Sequence, residues 1–217
     1  MNPALIELII LAGIAVFLFL RLRSVLGTRE GFEKPRMQPK NDTPKRDFKV
    51  IDGGEDKDIT DNVEKNSKSA KALKTIKEKD ETFTVNEFLS GARSAYEWIL
   101  MSFEKNEIDD IRELLSEEVA EAFDSVVEQR ISQGLTIEAE FIGVREMKLV
   151  DASYNSKTNT AEIAVSFIGE MTSVVKNSSG EIVEGDSKQI KRQKDTWTFS
   201  KDIQSDNPNW LLVATGE

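Results

Sequence analysis

Ser116–Phe141 reads SEEVAEAFDSVVEQRISQGLTIEAEF, and the period of its apolar residues changes part-way. Val119, Phe123, Val126, Val127 and Ile131 recur at helical spacing. Ser116 stands where a helix cap is wanted, and Glu117 and Glu118 follow in the first turn, where the helix dipole favours them. Gly134 is placed to stop that helix. Beyond it Ile137, Ala139 and Phe141 alternate with Glu138 and Glu140, which is the period of a half-buried strand. Helix therefore gives way to strand near residue 135, and the segments on either side keep to that division.

Upstream, Thr84-Val-Asn-Glu87 is a capping box. Phe88, Leu89, Ala92, Ala95, Tyr96, Ile99, Leu100 and Phe103 then keep helical spacing, and Asn106 can end the run. Glu107–Leu115 predicts a short second helix with Ile108, Ile111, Leu114 and Leu115 inward. Downstream, Ile142-Gly143 blurs the alternation and predicts a bulge. Met147 and Leu149 resume it. Ala161, Ile163, Val165 and Phe167 alternate in a second strand, and Asn177-Ser-Ser-Gly180 is a turn signal. Ser187–Ser200 predicts a third strand with Trp197 and Phe199 on one face. Asn209–Thr215 predicts a fourth with Trp210, Leu212 and Ala214 on one face. Three helices followed by four strands is an α+β arrangement, helices packed on one face of a curved four-stranded antiparallel sheet.

A long bulged sheet curls, and helices on its concave side would close a cone. Phe123, Val127, Phe141, Val165, Phe167, Trp197, Phe199 and Trp210 are the inward candidates. Two readings stay open: these side chains fill the cone as core, or they line an apolar pocket for a ligand or partner.

The composition narrows the chemistry. Among 217 residues, 39 are acidic and 29 basic, a net charge of -10, and there is neither Cys nor His. Thiol nucleophiles, disulfides, Cys/His metal sites and a serine–histidine triad are excluded. An acidic chain is a poor binder of phosphate backbones, so no nucleic-acid partner is expected. Glu138, Glu140 and Glu162 are out of phase with the apolar face and predict solvent exposure. Tyr96 points inward as a phenol in need of one partner. Arg93 and Arg130 are expected to pair with helix carboxylates such as Glu97. Asp109-Asp110 suits the start of a helix. Asp52, Asp56 and Asp58 around Gly53-Gly54 lack the spacing of a calcium loop. No convergent acid/base pair emerges, so no enzyme, no cofactor and no metal are expected.

The amino-terminal region is different in kind. Pro3–Leu20 reads PALIELIILAGIAVFLFL, with Glu7 as its one charge. Ala4–Leu20 spans about 26 Å as a helix, close to a bilayer's hydrocarbon core. No basic residue precedes the run, whereas Arg21 and Arg23 follow it, which favours an uncleaved anchor over a signal peptide. Residues 1–23 are thus expected to cross a membrane once, with the remainder cytoplasmic by the positive-inside rule. Residues 24–62, rich in Pro, Gly and charge, predict a flexible tether. Through Phe48 there are eight basic and five acidic residues, and from Lys49 onward the net charge is -13.

Residues 63–81 form a basic amphipathic segment. Lys65, Lys68, Lys71, Lys74 and Lys77 repeat opposite Val63, Ala70, Leu73 and Ile76. Such a helix suits an anionic membrane surface. It equally suits a solvated lead-in helix that covers one edge of the domain.

Several strings, taken in order, carry a resemblance: Phe88-Leu-Ser-Gly-Ala-Arg-Ser-Ala-Tyr96, Leu114-Leu-Ser116, Glu118-Val119, Asp195-Thr-Trp-Thr-Phe199 and Asn207-Pro-Asn-Trp-Leu-Leu-Val-Ala-Thr215. Together they resemble the Tim-44-like family, the carboxy-terminal domain of the mitochondrial import-motor adaptor and its bacterial, membrane-anchored TimA-type relatives. The resemblance covers about 64–217, with 82–217 as the domain proper. It implies a nuclear-transport-factor-2-like cone and a membrane-facing surface near the start of the domain. The resulting expectation is a membrane-tethered, non-catalytic adaptor at a bacterial inner membrane. It would bind a protein partner, in protein transport or membrane-protein assembly. The alternative is a lipid-binding module that uses the cone and the basic helix.

Overall fold

The computed structural model describes residues 56–205 and 207–216. The chain divides into two units, Met1–Val50 and Ile51–Glu217, and the described residues belong to the second. The expected anchor at 1–23 and the first part of the tether lie outside the described residues. Among the described residues no helix is long and apolar enough to cross a membrane.

The order is α1 (Lys57–Thr60), α2 (Lys68–Lys79), α3 (Val85–Glu104), a 3-10 helix (Ile108–Leu114), α4 (Glu117–Ser132), then β1 (Thr136–Asn155), β2 (Thr160–Lys176), β3 (Ile182–Asp202) and β4 (Leu211–Gly216). The strands form one antiparallel sheet in the order β1-β2-β3-β4. The fold is α+β, helices first and sheet second.

The punctuation follows from the caps. The Thr84 hydroxyl accepts from the Glu87 amide, the capping half of the box, and donates to the Glu87 carboxylate. Ser116 accepts from Val119 to open α4. Asn106 and Gly134 sit at φ values of 61° and 66°, the left-handed turn that ends a helix. In β1 the register shifts between Phe141 and Gly143, and twice more before Asp151, so the strand is bulged as the blurred alternation at Ile142-Gly143 predicts.

Several details differ from expectation. The short second helix expected at 107–115 is a 3-10 helix over Ile108–Leu114, ending as Leu115 bridges to β4 and Ser116 donates to the Leu212 carbonyl. Ile131 is 63% exposed rather than buried, in the last turn of a helix that packs on β4 and the 3-10 helix. β3 begins at Ile182, earlier than Ser187, and β4 begins at Leu211, so Trp210 precedes it and Ala214 is exposed. The stretch 57–62 is not tether. It holds α1, whose Ile59 is buried.

That last difference has a local cause. The carboxylate of Asp58 accepts from the amides of Val85 and Asn86 at 2.8 and 2.9 Å, so it satisfies the first two orphan donors of α3 while Thr84 satisfies the third. Lys77 of α2 closes the arrangement on Asp56 and Asp58 at 2.7 and 3.0 Å. Burial alone would push the Asp58 carboxyl up. The Val85 amide, Lys77 and the Asn86 amide outweigh it and hold the group below the usual carboxylate range. Leu73 and Ile76 seat α2 on β1.

Candidate functional site

Each residue expected to line a cone is placed against another side chain. Val165, Phe167, Trp197, Phe199 and Val127 are buried core, and Phe123, Phe141 and Trp210 are partly buried against it. Tyr96, on α3, stacks on Phe167 with ring centroids 4.4 Å apart and planes 10° from parallel, and meets Trp197 at 4.7 Å. Phe123 packs on Phe103 at 4.5 Å. Of the eight, only Phe199 and Trp210 reach the cleft beside α3.

At the centre of this packing lies a polar pair that the alternation argument passed over. The Tyr96 hydroxyl donates to Asp195 Oδ2 at 2.5 Å, and Gln193 Nε2 donates to Oδ1 at 3.0 Å. Asp195 is buried. It shares the parity of Trp197 and Phe199, so its inward direction was available from the same reading that cleared Glu138, Glu140 and Glu162. Those three are exposed, as expected. Burial, then the bond to Asp195, drives the Tyr96 phenol far above its ordinary range. Gly169 makes room for it: a Cβ there would stand 2.7 Å from the Tyr96 oxygen. A phenol held protonated, bonded to a carboxylate and sealed from the cleft, is a structural pair.

The cleft itself opens between the amino-terminal half of α3 and the corner from β3 to β4, with a volume of about 380 Å³. Phe83, Phe88 and Trp210 form its aromatic wall, with centroids 4.8–6.2 Å apart, and Phe199 lies behind Phe88. Gly91 and Ala92 keep the α3 side low, since neither fills the space a larger side chain would take. Asp80 and Lys201, paired at 3.3 Å, bind the loop before α3 to the end of β3 at the cleft's edge. The Thr82 hydroxyl, aided by its amide and by Lys201, holds the Asp80 carboxyl low against the opposing effect of burial. Glu87 and Asn209 supply the remaining polar rim.

The lysines expected to face a membrane divide. Lys65, Lys68, Lys71 and Lys74 are exposed. Lys77 is half-buried and committed to Asp56 and Asp58. Arg130 meets Glu104 at 3.7 Å rather than Glu97, donates to the Phe103 carbonyl and lies 4.3 Å from the Phe103 ring. Burial raises the Glu104 carboxyl, Arg130 opposing it. Arg93 reaches the Val144 carbonyl. Among the described residues no group of three or more acidic side chains is placed to hold a metal ion.

The Tim44-like domain matches residues 69–217. This chain belongs to the Tim44-like domain family. The family is associated with protein-transport adaptors, whose work is protein–protein interaction. The match begins within α2, so the basic helix belongs to the Tim44-like region, whereas α1 and its Asp58 cap precede it. A search of curated proteins finds no match. Among solved structures, the crystal structure of the intermembrane space region of chloroplast protein ARC6 is similar at 8% identity and a TM-score of 0.40. It covers 59% of this chain and 94% of that one, a likeness too slight to argue from.

Proposed function

We propose that this chain is a membrane-tethered, non-catalytic adaptor whose Tim44-like domain grips a protein partner in the aromatic cleft beside α3. The observation that carries the reading is the contrast in aromatic packing. Phe167 and Trp197 lie in the core away from the cleft, while the buried rings of Phe83, Phe88 and Phe199 and the partly buried Trp210 border it. Aromatic side chains around a concavity are the usual anchors of a partner's apolar side chain. The polar rim of Glu87, Asn209 and the Asp80–Lys201 pair would set its orientation. The apolar run at 4–20 supports a single membrane span, and the basic residues after it support a cytoplasmic domain at a bacterial inner membrane. The three irregularities of β1 support the cone-like curvature that the family implies.

In-cell cross-linking of the full-length chain tests this. Trp210→Ala, at the partly buried ring, should keep the fold and lose a stoichiometric protein cross-link that the wild type gives. A folded Trp210→Ala chain with an unchanged cross-link pattern would move the partner off the cleft.

A second reading is favoured by the exposed Lys68, Lys71 and Lys74 of α2: this face rests on anionic lipid. It predicts salt-sensitive binding to phosphatidylglycerol vesicles that is lost when those three lysines become glutamines. Binding that survives their replacement would dispose of it.

A further inference from the structure

β3 runs from Ile182 to Asp202, but β4 pairs only with its Thr196–Ser200 stretch. Before Thr196 the outer edge of β3 has no strand beside it among the described residues. Every residue from Ile182 to Arg192 is exposed, including Ile182, Val183 and Ile190 at 58%, 53% and 54%. Within it lies Lys188-Gln-Ile-Lys-Arg-Gln-Lys194, with four basic residues and no acidic one. This basic stretch is set in a body whose charge from Lys49 onward is -13.

The edge is shaped. Met171 pairs with Lys191 and Ser173 with Asp186, so β3 spends five residues where β2 spends two, and Ser187–Ile190 bulge. Gly185 opens the bulge at φ +83°, where a Cβ would stand 2.1 Å from the Ser173 carbonyl oxygen. No other residue fits there. Arg192 is held to Glu170 and the Lys188 amide donates to Asp186, which leaves the side chains of Lys188, Lys191 and Lys194 to set the charge along the edge.

An open strand edge binds an extended segment through main-chain hydrogen bonds, and flanking side chains choose the sequence. Lysines on an edge deter neutral strands. They do not deter an acidic one. A lipid surface fits less well, because Glu181, Glu184 and Asp186 lie around the aliphatic pair Ile182-Val183. We propose that the β3 edge at Lys188–Lys194 takes an extended acidic segment of a partner protein as an added strand, continuing the line of β4. This surface is separate from the cleft, and either reading can fail without the other.

The test uses the full-length chain and a fluorescein-labelled peptide, Thr-Val-Glu-Val-Glu-Val-Glu-Thr, with a twin carrying Lys for Glu. The acidic peptide should give a saturable rise in anisotropy, weaken with salt, and slow amide exchange in Ser187–Lys194. A Lys188→Glu/Lys194→Glu chain should bind it about tenfold or more weakly and should now bind the lysine twin. No saturable binding, unchanged affinity in the double variant, or protection confined to the cleft overturns the proposal. So does concentration-dependent self-association, or binding to phosphatidylglycerol vesicles, that the double variant abolishes in the absence of peptide binding. The first would assign the edge to a second copy and the second to lipid.

Discussion

The two halves of β3 are one strand with opposite fates. From Asp195 to Phe199 alternate residues are buried; from Ile182 to Arg192 none is. Both halves hold good strand formers, Ile182, Val183 and Ile190 in one and Trp197 and Phe199 in the other, although Glu184, Gly185 and Asp186 weaken the first. What separates them is cover. Tyr96 of α3 lies over Trp197, and β4 flanks Thr196–Ser200, but among the described residues the earlier half has neither an aromatic contact of that kind nor an outer strand. Alternation in a strand is therefore a record of what packs on it, more than a property of the strand.

Substitutions should widen or close that gap. Trp197→Ala should cost about 3–5 kcal/mol, the cost of a large core truncation, seen as a lowered denaturant midpoint with unchanged slope. A loss under about 1 kcal/mol would mean that the two halves are energetically alike. Next, Tyr96→Phe leaves one Asp195 oxygen without its donor in the core and should cost about 1–3 kcal/mol. Gly169→Ala presses a methyl group onto the same hydroxyl and should fall in the same range, about 1–3 kcal/mol.

Asp58→Ala removes a helix cap outside the sheet and should cost about 1 kcal/mol. Because its folded carboxyl titrates below the ordinary value, the contribution is full above that value. It is lost as the pH falls through the folded one. Wild type and Asp58→Ala should therefore converge in stability in acid and diverge toward neutrality. A constant offset between them from acid to neutral pH would mean that the carboxylate's charge is not what caps α3. Smallest of all, Ile182→Ser should lie within about 0.5 kcal/mol of wild type, since its side chain is already in water.

Most of the fold was legible because its boundaries are chemical. Thr84, Ser116, Asn106, Gly134 and the Asn177–Gly180 turn each mark an end by a local hydrogen bond or dihedral, and local signals survive without tertiary knowledge. The site was less legible for the same reason. Whether Phe167 fills a core or lines a pocket depends on Tyr96, 71 positions earlier in the chain and brought to it only by folding. Asp195 sits on the apolar parity, but only Tyr96 and Gln193 make its burial tolerable. The cleft joins Phe83 to Trp210, across most of the domain. The role of Asp58 depends on the free amides of Val85 and Asn86, and acidic composition alone reads as tether.

That Asp58 contact also sets the first load path a pull on the domain would take. A pull arriving at residue 56 meets Asp58 and Lys77 before it meets the sheet, and Asp58 is fastened to the first turn of α3. The α3 helix also forms one wall of the cleft. Tension applied at residue 56 would thus reach the helix that borders the proposed binding cleft before it reached the sheet.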